Sequence, residues 1–259
     1  MLKLILYFVL ITMPFIGFAQ TERIITDRPG KTNTAFTVPK KWIQSEIGFL
    51  KEVDKFSPPY RDIYFQHPSL LTKYGLGKRL ELRIKTEWGT IKNEASNLTQ
   101  IRTGITNVEV GGMVNLFNEK GIIPKTSFIA NYNFHSLRTT NNDSIDGANL
   151  RFAFHHTISE TISLNYNIGL EWERFGDAPA YIYTISPKFN IDDNWEAYIE
   201  AFGFIWKNNK PQNSIDGGIA YYVNNNFKVD ASAGFGLNKE APDIFFTVGA
   251  SFRFKTNNK

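Results

Sequence analysis

Beyond Trp42 the chain alternates hydrophobic and polar residues one for one over most of its length. Leu80, Leu82, Ile84, Thr86 and Trp88 alternate with Glu81, Arg83, Lys85 and Glu87. A helix would scatter those charges around its surface, whereas a strand sorts them onto one face. The stretch from Ile162 sets Leu164, Tyr166, Ile168, Leu170 and Trp172 against Ser163, Asn165, Asn167, Gly169, Glu171 and Glu173. From Phe227, Val229, Ala231, Ala233, Phe235 and Leu237 oppose Lys228, Asp230, Ser232, Gly234 and Gly236. Similar segments span 42–53, 64–76, 106–117, 123–137, 148–158, 181–191, 195–206, 214–223 and 243–254. Each ends in turn residues, so the pattern predicts about twelve strands. One segment breaks the rule. Glu196 and Glu200 share a parity with Phe202, Phe204 and Trp206, which calls for either a bulge or aromatics that face the polar side. Gly111-Gly112 and Gly217-Gly218, inside strands, are expected to mark bends or bulges.

Alternation alone fits a sandwich, whose apolar face meets a second sheet, and a membrane barrel, whose apolar face meets lipid. Three features favour the barrel. The segments are longer than the roughly five to six residues of ordinary strands and suit a tilted crossing of a bilayer. Trp42, Trp88, Trp172, Tyr181, Trp195 and Trp206 lie near strand ends, where membrane barrels carry aromatic girdles. Connections alternate, being short after every second strand and longer elsewhere, as at 54–63 and 91–104. The expected fold is therefore all-β, a transmembrane antiparallel up-and-down barrel over 42–254, closed because lipid leaves no backbone group unpaired. A polar tail, 255–259, follows it.

The beginning of the chain is different. Lys3 precedes an apolar run from Leu4 to Phe18, and Gly17 and Ala19 supply small residues for cleavage. At about fifteen residues the run is short of the roughly twenty that span a bilayer as a helix. Residues 1–19 thus read as a signal peptide, and 20–41 as an irregular periplasmic segment. The chain has no cysteine, which excludes disulfides, thiolate metal sites and a lipid-anchored cysteine. Aromatic residues make up 15 % of the chain, in keeping with an all-β protein. A net charge of +4, spread without a basic block, gives no case for nucleic acid.

Several stretches resemble a bacterial family of outer-membrane barrels labelled as transporters or as proteins of the MetA pathway of phenol degradation. They are Thr26-Asp27-Arg28-Pro29-Gly30, Ala35-Phe36-Thr37-Val38-Pro39, His67-Pro68-Ser69-Leu70-Leu71 with Tyr74-Gly75-Leu76, and Val114-Asn115-Leu116-Phe117-Asn118-Glu119. The resemblance implies an outer-membrane barrel with a transport role and brings no catalytic residues.

The candidate chemistry lies on the polar face: Glu81, Arg83, Lys85, Glu87, Arg151, Glu171, Glu173, Lys228, Asp230 and Arg253. These either filter solutes in a lumen or pair with one another and stiffen a narrow barrel. Asp27 and Arg28 either enter the lumen as a plug or form a plain turn. The pair His155-His156 has no evident serine or acidic partners; on alternation one histidine faces the lumen and the other lipid, or the two sit near a boundary. The expected function is a channel or transporter for a small solute, aromatic or apolar, without enzymatic activity, cofactor or metal. Its expected partners are outer-membrane lipid and the machinery that assembles outer-membrane barrels. Rival readings are a lipid-modifying enzyme, needing a histidine and a hydroxyl or carboxylate together at one rim, and a closed barrel whose external loops bind something else.

Overall fold

The computed structural model describes residues 22–57, 60–95, 98–135 and 145–256. The expected signal peptide and the last residues of the polar tail lie outside them. The strands are β1 (Trp42–Ser57), β2 (Tyr60–Gly75), β3 (Leu80–Ala95), β4 (Leu98–Phe117), β5 (Lys125–His135) and β6 (Ile145–Thr157). They continue as β7 (Ile162–Trp172), β8 (Ala180–Asn190), β9 (Trp195–Ile205), β10 (Gln212–Asn224), β11 (Phe227–Gly236) and β12 (Ile244–Lys255). Each strand pairs antiparallel with its sequence neighbours, and β12 pairs with β1 from Trp42↔Lys255 to Val53↔Ile244, closing a twelve-stranded up-and-down barrel.

The barrel is inside out by the standard of a water-soluble protein. Its outer wall exposes Leu82, Ile84, Phe152, Ile168, Ile199 and Phe246, all 40–53 % accessible. Its interior buries Glu46, Lys73, Glu81, Arg83, Glu200 and Lys228. So continuous an exposed apolar band has no place in water, and it fits a wall that faces lipid.

Two expected loops are strands instead. β1 and β2 stay paired out to Asp54↔Asp62 and Ser57↔Tyr60, and β3 and β4 out to Glu94↔Thr99 and Ala95↔Leu98. Beyond the apolar band both faces of a strand meet water, so alternation fades while pairing continues. The resulting hairpins extend from the end opposite the termini. Turns at the terminus end are short, such as Asn225-Asn226 between β10 and β11.

The parity conflict in β9 involves no bulge: its registers with β8 and β10 run without a shift. The aromatics face inward, Phe202 being buried beside Glu200. Gly111-Gly112 and Gly217-Gly218 also sit in unshifted ladders. They therefore mark no bulge, and two of them lie in close packing: a Cβ on Gly111 would lie 2.1 Å from the Ala130 carbonyl, and one on Gly218 2.7 Å from the Tyr198 ring. One irregularity of the wall is at His67-Pro68, where β2 slips register against both β1 and β3. Proline has no N–H to give a ladder, so it belongs at such a break.

Candidate functional site

Residues 22–41 enter the barrel from the terminus end, turn inside it and return to β1. The entry is fixed at the rim, where Ile24 N–H donates to the Asn225 carbonyl (2.8 Å) and Arg253 donates to the Glu22 carbonyl. The exit is fixed by Lys41 N–H donating to the Gly75 carbonyl (2.8 Å). Gly75 leaves room for this crossing, since a Cβ there would lie 2.1 Å from the Pro39 carbonyl. We call the segment the strap.

The strap has no ladder, so its backbone donors need acceptors elsewhere. Wall carboxylates supply them. Glu46 accepts from the N–H groups of Asp27 (3.0 Å) and Arg28 (3.1 Å). Glu200 accepts from Lys31 (2.6 Å) and Thr32 (2.7 Å), and Glu81 from Val38 (2.6 Å). Asn167 donates to the Asn33 carbonyl and accepts from the Asn33 N–H, a paired grip at 3.0 and 2.7 Å.

At the turn of the strap, Asp27 is held in a knot of buried charge. Lys73 sits between Asp27 (2.8 Å) and Glu46 (2.7 Å). Arg83 bridges Asp27 and Glu81. Asp27 also accepts from Thr34 N–H at 2.8 Å, which closes the turn. Burial raises the Asp27 carboxyl, but the neighbouring Arg83 and Lys73 charges outweigh it and hold the group well below the usual carboxylate range. Arg28 reaches the other side, donating to Asp230 (2.8 Å) and Thr247 (2.9 Å). Its guanidinium occupies a notch between Gly48 and Gly249, which face each other across the β1–β12 seam. A Cβ on Gly48 would lie 1.8 Å from Arg28 Nη1.

Beyond the strap, toward the hairpin end, lies a cavity of about 560 Å³. Its floor is the top of the strap, including Arg28, Gly30 and Lys31. Among the described residues, nine acidic and five basic side chains line it. Lys85 pairs there with Glu87 (2.5 Å) and Glu109 (3.4 Å), and Arg151 with Glu171 (3.4 Å). The molecule is therefore a charged vestibule that ends on a strap.

All ten lumen candidates from the sequence face the interior or its rims, at three levels. Glu81, Arg83, Lys228 and Asp230 grip the strap or the wall around it. Lys85, Glu87, Arg151, Glu171 and Glu173 line the space above it. Arg253 sits at the terminus-end rim, over the Trp42 ring. Asp27 and Arg28 are in the lumen. Sequence reading passed over Gln44, Glu46 and Lys73, although alternation in β1 and β2 puts them on the same inner face. Trp206 lines the lumen and does not belong to an outer girdle.

The two histidines are split by the wall, as alternation requires. His155 faces inward, bonded to Asn165 (2.9 Å) and packed edge-on against Phe36 of the strap; His156 lies against Tyr166. Thr157 and Glu119 are also at that rim. The Thr157 hydroxyl donates to Glu119 at 2.8 Å, and its separation from His155 Nε2 is 3.5 Å, the outer limit for a hydrogen bond. Its proton is thus directed to a carboxylate that already accepts the Thr157 N–H (2.6 Å), and the imidazole is not set up as its base.

A family model described as Putative MetA-pathway of phenol degradation matches residues 26–254. The chain belongs to that family. The match starts within the strap, so the family pattern takes in the strap turn as well as the barrel wall. None of the curated proteins matches the sequence. Among solved structures, an outer membrane channel from Pseudomonas putida F1 is similar with a TM-score of 0.68 and 10% identity, over 85% of this chain and 98% of that one. The KdgM porin gives 0.53 and 12% identity, over 81% and 99%. The translocator domain of the autotransporter NalP from Neisseria meningitidis gives 0.52 and 9% identity, over 82% and 88%. At such identities the likeness is one of fold, and this chain shares a barrel architecture with proteins of several tasks.

Proposed function

We propose that the protein is an outer-membrane channel for a small solute, aromatic or apolar in its main part, with the strap as its internal constriction. The terminus end then faces the periplasm and the long hairpins face outward, the usual asymmetry of bacterial barrels. The observation that carries this reading is the vestibule: a charged, water-accessible space of about 560 Å³ inside a lipid-compatible wall, ending on a segment held by side-chain contacts and not by a ladder. A barrel with only a mechanical task has no need of such a space. A strap held without strand pairing can leave its seat while the wall remains closed.

The excess of carboxylates in the vestibule supports a preference for cations. The test is single-channel recording of the refolded mature chain in a planar lipid bilayer under a salt gradient. Discrete current steps with a cation-selective reversal potential are expected, and Lys85→Ala should strengthen that selectivity. Folded protein that passes no current under any voltage or pH would end the channel reading.

A further inference from the structure

The charges at the terminus end are sorted around the rim. On the arc that runs from β12 through β1 to β5, Lys40, Lys78, Arg79, Lys120 and Lys255 are exposed. None of these five side chains has an ion pair or a hydrogen bond among the described residues. Arg79 instead acts on the neighbouring Lys125 as a like charge. Two acids share this side, and both are engaged. Glu119 accepts from the Thr157 N–H (2.6 Å) and hydroxyl (2.8 Å). Glu22, at the strap entry, acts on Arg253 and Lys125. On the opposite arc the exposed charges are Glu160, Asp192 and Asp193, in the β6–β7 and β8–β9 turns. One half of the rim is therefore basic and the other acidic.

What stands between the charges decides what they face. On the basic arc Leu76, Leu80, Phe117, Ile123 and Phe254 are 42–60 % accessible, and Ile122, at the tip of the β4–β5 turn, is 93 %. Ile158 and Ile191 are likewise exposed on the acidic arc. Both arcs thus continue the lipid-facing wall, and they differ in charge. A cell-wall glycan would answer the basic charge and offer nothing to Ile122 or Phe117. A phospholipid offers its phosphate to the basic side chains and its acyl chains to the apolar ones between them. Each Lys or Arg near the surface is worth roughly fivefold in affinity for anionic lipid. We infer that the basic arc is a binding surface for anionic phospholipid of the periplasmic leaflet, which gathers on that side of the barrel and not on the other. Only the choice of leaflet rests on the orientation proposed above.

The test is native mass spectrometry of the refolded full mature chain, released from micelles that hold equal amounts of phosphatidylglycerol and phosphatidylethanolamine with the same acyl chains. The parent should retain phosphatidylglycerol over phosphatidylethanolamine by at least about fivefold. Lys78→Gln, Arg79→Gln and Lys120→Gln together should bring that ratio to within about twofold. The same loss of charge at the hairpin end, Lys207→Gln, Lys210→Gln and Lys239→Gln, should leave it unchanged. Both triple variants are first shown to fold by their heat-modifiable gel shift. Equal retention of the two lipids by the parent would overturn the assignment. An equal fall in both triple variants would overturn it too, because net charge and not the arc would then be what the lipid reads. Sedimentation of the parent with isolated peptidoglycan, lost in the first triple variant and without any lipid preference, would give the arc to the cell wall. Bilayer recordings keep the two readings apart: lipid preference without current retains the arc and removes the channel, and current without lipid preference does the reverse.

Discussion

Replacing Lys73 by Met tests whether buried charge is what seats the strap. Lys73 is 1 % accessible and lies 2.8 Å from Asp27 and 2.7 Å from Glu46. Met has a similar length and no charge. It leaves Asp27 with Arg83 and the Thr34 N–H, and Glu46 with only the strap N–H groups and Gln44. Removing one member of a buried, hydrogen-bonded ion pair costs about 3–5 kcal/mol. That cost falls on the seated strap, because when the strap leaves, water enters and rehydrates Glu46. The ladder on either side of Lys73 is made by backbone and is untouched. At about 1.4 kcal/mol per tenfold, the ratio of unseated to seated strap should rise by roughly two to three and a half orders of magnitude. The chain has no cysteine, so Thr34→Cys, at a strap position 5 % accessible, carries a unique thiol. Its maleimide labelling rate follows the unseated fraction while opening and closing are fast. Labelling in the Lys73→Met background should be at least about a hundredfold faster than in Thr34→Cys alone, and open events in a bilayer should become more frequent. Labelling within threefold of the parent, with unchanged currents, would mean that the charges do not hold the strap.

Three further outcomes follow from the same geometry. Gly48→Ala drives a methyl into the Arg28 guanidinium and should cost about 1.5–3 kcal/mol of strap seating, the worth of a hydrogen bond to a charged group; thiol labelling rises while the barrel keeps its gel shift. Ile168→Arg on the exposed outer wall should destabilise the barrel in lipid vesicles by about 2–4 kcal/mol, read by urea unfolding, and an equal effect in lipid-free buffer would refute a lipid-facing wall. The third concerns acid. Asp27 is depressed by its partners, so its contribution to seating is full above its ordinary value of 3.8 and is lost only as pH falls through and below that value. Open frequency should stay flat from pH 7 to about 5 and rise in stronger acid, more so in the parent than in Asp27→Asn, whose strap is already loosened; a rise between pH 7 and 5 would point to another group.

The sequence alone determines the wall. Strand side chains alternate by local backbone geometry, so Leu80 to Trp88 reveal both faces of β3 without any knowledge of its neighbours. It also brings Thr26–Gly30 into view as a turn before the first strand. Three things needed the tertiary structure. The outer hairpins were read as loops because residues 91–104 are mostly polar, with Ile91, Leu98 and Ile101 scattered among them, and regular alternation exists only where one face meets lipid and the other does not. Trp206 looked like a girdle residue because its place near a strand end is all that a linear pattern records; closure of the barrel put it in the lumen. The strap knot joins Asp27 to Lys73 and Arg83, and Arg28 to Asp230, some two hundred residues apart. Which charges meet across a lumen depends on register and strand tilt, and these are set by pairing all round the barrel, where no local spacing reports them.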